Sequence, residues 1–343
     1  MDVHGRRGAD RGHARPRLPA ERRPRNRTPR SRVRRDPAAR VARQADRRRD
    51  APHRVALARL ARCVRRRGAR GRQMSASPSV RPAAGIATPL LDLRIARKLY
   101  GDRTILADIA LQVARGEIVC VVGPSGCGKS TLLRIVAGLD PDFRGSVTLD
   151  GSALAGPSAR VGVIFQEPRL LPWLSIADNV GFASGARGGR DPSVARLLDE
   201  VGLAGVARQL PATLSGGMAQ RAAIARGLFG EPDLLLLDEP FSAVDAITRM
   251  RLQTLLLEVV HRHRMAAIVV THDLDEALYL GDRVLVLAPN PGRVDDELHV
   301  DVARPRDRRD PSLAAQRARL IDAFQRFHDR EARATTGIPV TPA

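Results

Sequence analysis

The sequence predicts an α/β fold with a mainly parallel core sheet, and three observations carry that prediction. The first is the run Gly123-Pro124-Ser125-Gly126-Cys127-Gly128-Lys129-Ser130-Thr131, which fits G-x-x-x-x-G-K-[ST] at every fixed position. An apolar β-type run, Ile118-Val119-Cys120-Val121-Val122, precedes it, and a helix-like run over residues 131–137, stopped by Gly138, follows. Strand, glycine loop and helix in that order hold a nucleoside triphosphate. The second is Leu234-Leu235-Leu236-Leu237, apolar at every position as a strand covered on both faces requires, which delivers Asp238 and Glu239 at its carboxyl end. The third is Ala266-Ala267-Ile268-Val269-Val270, of the same kind, ending at Thr271-His272-Asp273. Open α/β sheets gather ligands at the carboxyl ends of such strands.

The 343 residues suffice for one large domain or two ordinary ones. The net charge of +21 is unevenly spread: the first 73 residues hold 26 Arg, no Lys and six acids, whereas the rest balances 32 basic against 31 acidic residues. Residues 1–87 read as a disordered Arg-rich extension, too poor in aromatic and β-branched side chains to offset ordering entropy. Within it, residues 55–64 have the apolar spacing of a short basic amphipathic helix. Three readings of this arm stand side by side: a nucleic-acid or lipid contact, a tail without function, or upstream DNA read as protein. The chain has two lysines, Lys98 and Lys129, against 56 arginines, which points to a GC-rich gene. Upstream DNA of that kind reads as Arg-, Ala- and Pro-rich text, so Met74 is the expected first residue. Three scattered cysteines, Cys63, Cys120 and Cys127, make neither a disulfide framework nor a zinc site. No apolar run approaches the roughly 18–20 residues that span a bilayer. The chain is expected in the cytoplasm, with any membrane role supplied by a partner.

In chain order, residues 91–95 alternate as a strand, Gly101-Asp102 turns, and residues 105–113 form a second strand. Tyr100 precedes that turn and reads either as a packed strand-end aromatic or as a platform for adenine. In the loop, glycines let backbone N–H groups curl around phosphate oxygens. Lys129 reaches the β- and γ-phosphates, and the Ser130 hydroxyl is suited to Mg²⁺. Strands follow at 145–149 and 161–165, the latter ending on Gln166. Residues 167–174, with the one Trp, are either a core plug or a partner-facing loop. Asp191-Pro192 has the form of an N-cap and first helical position, with Val194, Leu197, Leu198 and Val201 on one face. Ser215-Gly216-Gly217 precedes a helix expected over residues 222–228 and reads as a second anion-binding helix start. Asp238 is placed to hold Mg²⁺ through water, and Glu239 to polarise an attacking water. Ser242-Ala243-Val244-Asp245 leads into a helix over residues 246–261. A strand over 284–287 and a turn at Asn290-Pro291-Gly292 precede a final helix over 311–333, with Leu313, Leu320, Ile321, Phe324 and Phe327 along one stripe.

Together, GPSGCGKST, FQEP, LSGGMAQR, LLLLDEP, SAVD and THD resemble the ATP-binding subunits of ABC transporters over residues 88–310. Met218 stands where many members carry Gln, and Val244 where Leu is commoner. The resemblance implies a phosphate-loop ATPase domain over 88–305 with an antiparallel β-subdomain, an inserted helical subdomain at about 167–229, and a helical tail over 306–343. It implies a homodimer in which ATP on Gly123–Thr131 of one copy is capped by Ser215, Gly216 and Gly217 of the other. By the same resemblance Tyr100 stacks adenine, Gln166 contacts Mg²⁺ and senses the membrane partner, Glu239 is the general base, His272 clamps the γ-phosphate and Asp245 couples the two sites. ATP and Mg²⁺ are the implied cofactors. The implied partners are a second copy, a transmembrane permease docking near Arg169–Leu174 and, indirectly, a substrate-binding protein, with no nucleic acid. The implied location is the cytoplasmic face of the inner membrane. GVIFQEPRLLPWLSIADNV, DEPFSAVDAITRMRLQTLLLEV and Ala303–Arg308 look like importers of the nitrate, sulfonate and taurine group. One rival is an ABC ATPase acting on nucleic acid through the basic arm. Such proteins usually carry two cassettes or an inserted coiled coil, and this chain has one cassette and no heptads. A second rival is a subunit of another importer or of an exporter class; the RLLPW segment and the Arg-Pro-Arg tail argue against an exporter.

Overall fold

The structure, a computed structural model, describes residues 88–185 and 187–336. The Arg-rich arm, its helix-spaced segment and the expected start at Met74 lie outside the described residues.

Strand β1 (Leu91–Tyr100) pairs antiparallel with β2 (Arg103–Val113) across the Gly101-Asp102 turn, and on its other edge with β4 (Arg144–Leu149). A short β5 (Ser152–Ala153) completes a four-stranded antiparallel sheet in the order β2-β1-β4-β5. The larger sheet has the order β10-β9-β3-β8-β7-β6. It comprises β3 (Ile118–Val122), β6 (Val161–Ile164), β7 (Leu234–Asp238), β8 (Ala266–Val270), β9 (Arg283–Ala288) and β10 (Arg293–His299). All neighbours are parallel except β10 on β9.

The expected all-apolar strands are the buried ones: every residue of β3 and β8 is buried, as a central parallel strand with both faces covered demands. Their side chains alternate between two cores. Ile118, Cys120 and Val122 face one, together with the helices that lie between β6 and β7 and those that follow β7. Val119 and Val121 face the other, with the antiparallel sheet and α1 (Lys129–Val136). Layers therefore run antiparallel sheet and α1, core sheet, then helices.

Between β6 and β7 the chain is helical. It comprises α2 (Ile176–Val180), 3-10 turns, α3 (Pro192–Glu200) and α4 (Gly216–Leu228). Asp191 caps α3, its carboxylate accepting from the Ser193 N–H, with Pro192 at the first helical position. Val194, Leu197, Leu198 and Val201 are all buried on the expected face. The helix expected to begin near residue 222 starts at Gly216 instead. Ser215 is its N-cap, accepting from the Met218 N–H, so the two glycines form its first turn rather than a loop before it. Glycine lowers helix propensity, which hid that turn from a reading based on apolar spacing.

Helix α5 (Ala246–His263) precedes β8, α6 (Leu274–Leu280) precedes β9, and α7 (Pro311–Thr336) ends the described chain. Leu313, Leu320, Ala323 and Phe327 bury into the helix-side core, with Phe324 edge-on to Phe327 at 6.0 Å. Ile321, expected on that stripe, is 38% exposed; Ala323 takes the inward place. Arg306, buried, donates to the carbonyls of Leu278, Gly281 and Val300, fastening the segment before α7 to the core. Among the described residues no helix is long and apolar enough to cross a membrane.

Candidate nucleotide site

Because β3, β8, β7 and β6 are parallel neighbours, their carboxyl ends open along one edge. β3 leads into the glycine loop, β8 into Thr271-His272-Asp273, β7 into Asp238-Glu239, and β6 into Phe165-Gln166. The register sets Asp238 beside Val270, and Thr271 N–H donates to the carbonyl of Val121. Chain positions more than 140 residues apart thus converge through strand pairing alone.

The loop turns into α1 at Gly128, whose φ of 101° lies in left-handed space; a side chain there would also strike Leu106. Lys129 opens the helix and is buried, its Nζ donating to the carbonyls of Gly123 at 2.8 Å and Pro124 at 2.9 Å. No carboxylate pairs with it among the described residues. An ammonium held inside the loop's own curve, at a helix N-terminus, is a cradle for polyphosphate. Cys127 is buried against it, its Sγ 3.9 Å from Lys129 Nζ, and burial pushes the thiol up.

Ser130 Oγ donates to Asp238 Oδ1 at 3.1 Å. Burial raises the Asp238 carboxyl and so does neighbouring Glu239, while the Ser130 hydrogen bond opposes both. A cation between these two oxygens would relieve that cost. No group of three or more His, Cys, Asp or Glu side chains could hold a metal among the described residues. The oxygen pair therefore fits a hard ion that takes its other ligands from phosphate and water, as Mg²⁺ does. Beside it a cleft of about 190 Å³ is lined by Ser130, Arg134, Gln166, Arg169 and Asp238 among others.

Glu239 sits at φ 45°, a left-handed conformation uncommon outside glycine, with its N–H donating to the Val270 carbonyl. That turn sends the carboxylate toward two polar ends. Oε2 lies 3.2 Å from His272 Nδ1 and 3.5 Å from Gln166 Nε2. Tyr100, at the end of β1, is 45% exposed, and its hydroxyl donates to Asp140 Oδ2 at 2.6 Å.

Ser215, Gly216 and Gly217 are elsewhere. Among the described residues no hydrogen bond or ion pair joins them to residues 123–131. They abut the start of α5: a methyl on Gly217 would lie 2.6 Å from the Thr248 Cγ2. There Asp245 caps α5, accepting from the N–H groups of Ile247 and Thr248. One cluster thus holds the phosphate loop with Ser130, Gln166, Asp238, Glu239 and His272, and a second holds Ser215, Gly216, Gly217 and Asp245.

Two structural contributors escaped the sequence reading. Arg226 of α4 donates to the carbonyls of Arg169 and Pro168, fixing the loop after Gln166; nothing in the sequence marks it. Gly292, read only as a turn residue, backs the phosphate loop so closely that a methyl would fall 2.0 Å from the Cys127 carbonyl oxygen.

Known proteins resemble this chain in sequence and in fold. Residues 106–242 match the family model described as ABC transporter. Over 270 residues the chain is 94% identical to the aliphatic sulfonates import ATP-binding protein SsuB 2 of Burkholderia cenocepacia (strain HI2424), covering 79% of this chain and all of that protein. It is 58% identical over 245 residues to the aliphatic sulfonates import ATP-binding protein SsuB 1 of Pseudomonas aeruginosa (strain UCBPP-PA14), covering 70% of this chain and 98% of that one. Among solved structures it resembles cbiO1 from Clostridium perfringens, part of the ABC transporter complex cbiONQ. The TM-score is 0.56 at 26% identity, over 62% of this chain and 90% of that one. It also resembles an ATP-binding cassette in a dimeric post-hydrolysis state bound to ADP and Pi. There the TM-score is 0.53 at 29% identity, over 62% of this chain and 100% of that one. The chain belongs to the ABC transporter family and is one of its ATP-hydrolysing, ATP-binding subunits, with Mg²⁺ as the accompanying ion.

Proposed function

We propose that this subunit energises import of aliphatic sulfonates, as a homodimer bound to a transmembrane permease on the cytoplasmic face of the membrane. The observation that carries the dimer is the separation of the two clusters within one chain. The loop side holds phosphates and the attacking-water residues, yet Ser215, Gly216 and Gly217 have no bond to it. A second copy placed head to tail supplies them. The substrate class rests on the relatives' names.

In this reading Lys129 and the loop N–H groups hold the phosphates, and Tyr100 stacks the adenine. Ser130, Asp238 and Gln166 would hold Mg²⁺, which supplies charge neutralisation on the phosphates when bound. Glu239 takes a proton from water as the new oxygen–phosphorus bond forms and the bridging bond to ADP breaks. His272, 3.2 Å from Glu239, holds the carboxylate in place and faces the γ-phosphate. Trp173, 68% exposed in the segment that follows Gln166, serves the permease rather than the core. The arm is not expected to engage nucleic acid. Met74 is the proposed first residue: from there to Ala343 the chain has 270 residues, the length over which the Burkholderia relative matches. Peptides from residues 1–73 in mass spectra of the native protein would refute that start.

The test of substrate class is growth after deleting the gene. Loss of growth on an alkanesulfonate as sole sulfur source, with growth on sulfate intact, is the expected result. Unchanged growth on sulfonates with loss on nitrate as sole nitrogen source would move the assignment within the subfamily.

A further inference from the structure

In a chain with 56 arginines, two positions are lysine, and one of them is in the phosphate loop. The other, Lys98, is the most buried cationic side chain described, at 1% exposure. Its Nζ donates to Asp140 Oδ1 at 2.6 Å and to the carbonyl of Asp142. It also stands 4.6 Å from the centroid of the Tyr100 ring. The second oxygen of the same carboxylate, Asp140 Oδ2, accepts from the Tyr100 hydroxyl at 2.6 Å. Asp140 lies just beyond α1, with its backbone N–H on the Arg134 carbonyl. One carboxylate therefore bridges a strand-end aromatic and a buried ammonium, and is itself anchored to the phosphate-loop helix.

We propose that Lys98 and Asp140 are positioning residues for the nucleobase: they lock the Tyr100 ring at a set angle and distance from the phosphate loop. The proposal rests on the reading that Tyr100 stacks adenine. Two restraints act on the ring. Asp140 fixes the hydroxyl end, and the Lys98 ammonium covers one face. The base then has the opposite face to stack on. A tyrosine at a strand end beside a turn would otherwise sample its rotamers, and each nucleotide would have to order it on binding. The identity of the cation matters. A compact ammonium with three donors meets the Asp140 carboxylate, the Asp142 carbonyl and the ring face at once, whereas a planar guanidinium has its donors in a rigid fork and needs more space than a 1% exposed site offers. That accounts for lysine at 98 where the composition otherwise favours arginine.

The experiment uses the full chain and compares ATP with inorganic triphosphate, which has phosphates and no base. For Lys98→Met, Lys98→Arg and Asp140→Asn, KM for ATP is expected to rise about five- to tenfold with kcat within about twofold, and triphosphate affinity to stay at the wild-type value. Tyr100→Phe, which keeps the ring and loses the hydroxyl, is expected to show a smaller rise of the same kind and carries the test if a Lys98 variant fails to fold. An equal loss for ATP and triphosphate would overturn the proposal, because it would show general damage to the loop. So would unchanged KM in the Lys98 and Asp140 variants alongside a raised KM in Tyr100→Ala. If Tyr100→Ala itself leaves ATP affinity unchanged, the adenine reading of Tyr100 falls first and takes the proposal with it.

Discussion

At the residue scale the site is a set of charges that the sheet brings together, and each has a separable consequence. Glu239→Gln keeps the shape and hydrogen-bonding length of the side chain but removes its basicity. Turnover should fall by about 10²–10⁴-fold with ATP binding retained, measured as phosphate release and equilibrium nucleotide binding. Substantial remaining hydrolysis would remove Glu239 as the base. A second carboxylate responds to pH. Glu276, almost fully buried beside Thr271, accepts from Gln253 Nε2, and burial raises its pKa to about 7. Its folded pKa lies above its ordinary value of 4.5, so the folded protein keeps this proton while the unfolded chain loses it. The stability it contributes is complete below about pH 4.5 and is lost as pH rises through 7, a decline on the order of 3 kcal/mol. Glu276→Gln should flatten that decline: its melting temperature should match the wild type near pH 5 and exceed it near pH 8. A parallel fall of both proteins between those values would show that Glu276 is not its source.

At the scale of elements, what the sequence made legible followed hydrophobic pattern and capping chemistry. β3, β7 and β8 were plain because central parallel strands must be apolar on both faces. The start of α3 was plain because Asp191-Pro192 satisfies an orphan N–H and presets the first φ. Asp191→Ala should therefore destabilise the protein by about 1 kcal/mol, seen in denaturant unfolding, with nucleotide affinity unchanged. α2 and α6 went unread because helices of five and seven residues are too short to display a repeat. Yet Asp273 does carry a start signal, its carboxylate accepting from the Glu276 N–H three residues on. β10 went unread because its edge position leaves most of its side chains polar. Close backbone approaches have no sequence signature beyond glycine itself. Gly292→Ala should push on Cys127 and weaken binding of ATP and inorganic triphosphate alike, by roughly tenfold or more. The matched loss distinguishes it from the variants around Tyr100.

At the scale of the whole molecule, the phosphate loop and the carboxylates at strand ends were readable because their chemistry needs fixed residue types at fixed spacing. Their convergence was legible only through the family resemblance, since it depends on the order β3-β8-β7-β6, which no local pattern states. In the proposed reading the molecule is half of a machine. On that reading it assembles phosphate, metal and water residues on one edge, while the α4 start at Ser215 has no bond to residues 123–131 among the described residues and meets α5 at Thr248 through Gly217. The central claim is that a working ATP site is shared between two copies, and mixing two defective variants tests it most directly. Lys129→Ala removes the phosphate contact and Ser215→Arg blocks the capping helix start, so each alone should be inactive. Mixed in equal amounts, half of the dimers should pair one of each, restoring one sound site apiece and about a quarter of wild-type ATPase activity. A mixture no more active than its components, or wild-type turnover by Ser215→Arg alone, would contradict the account.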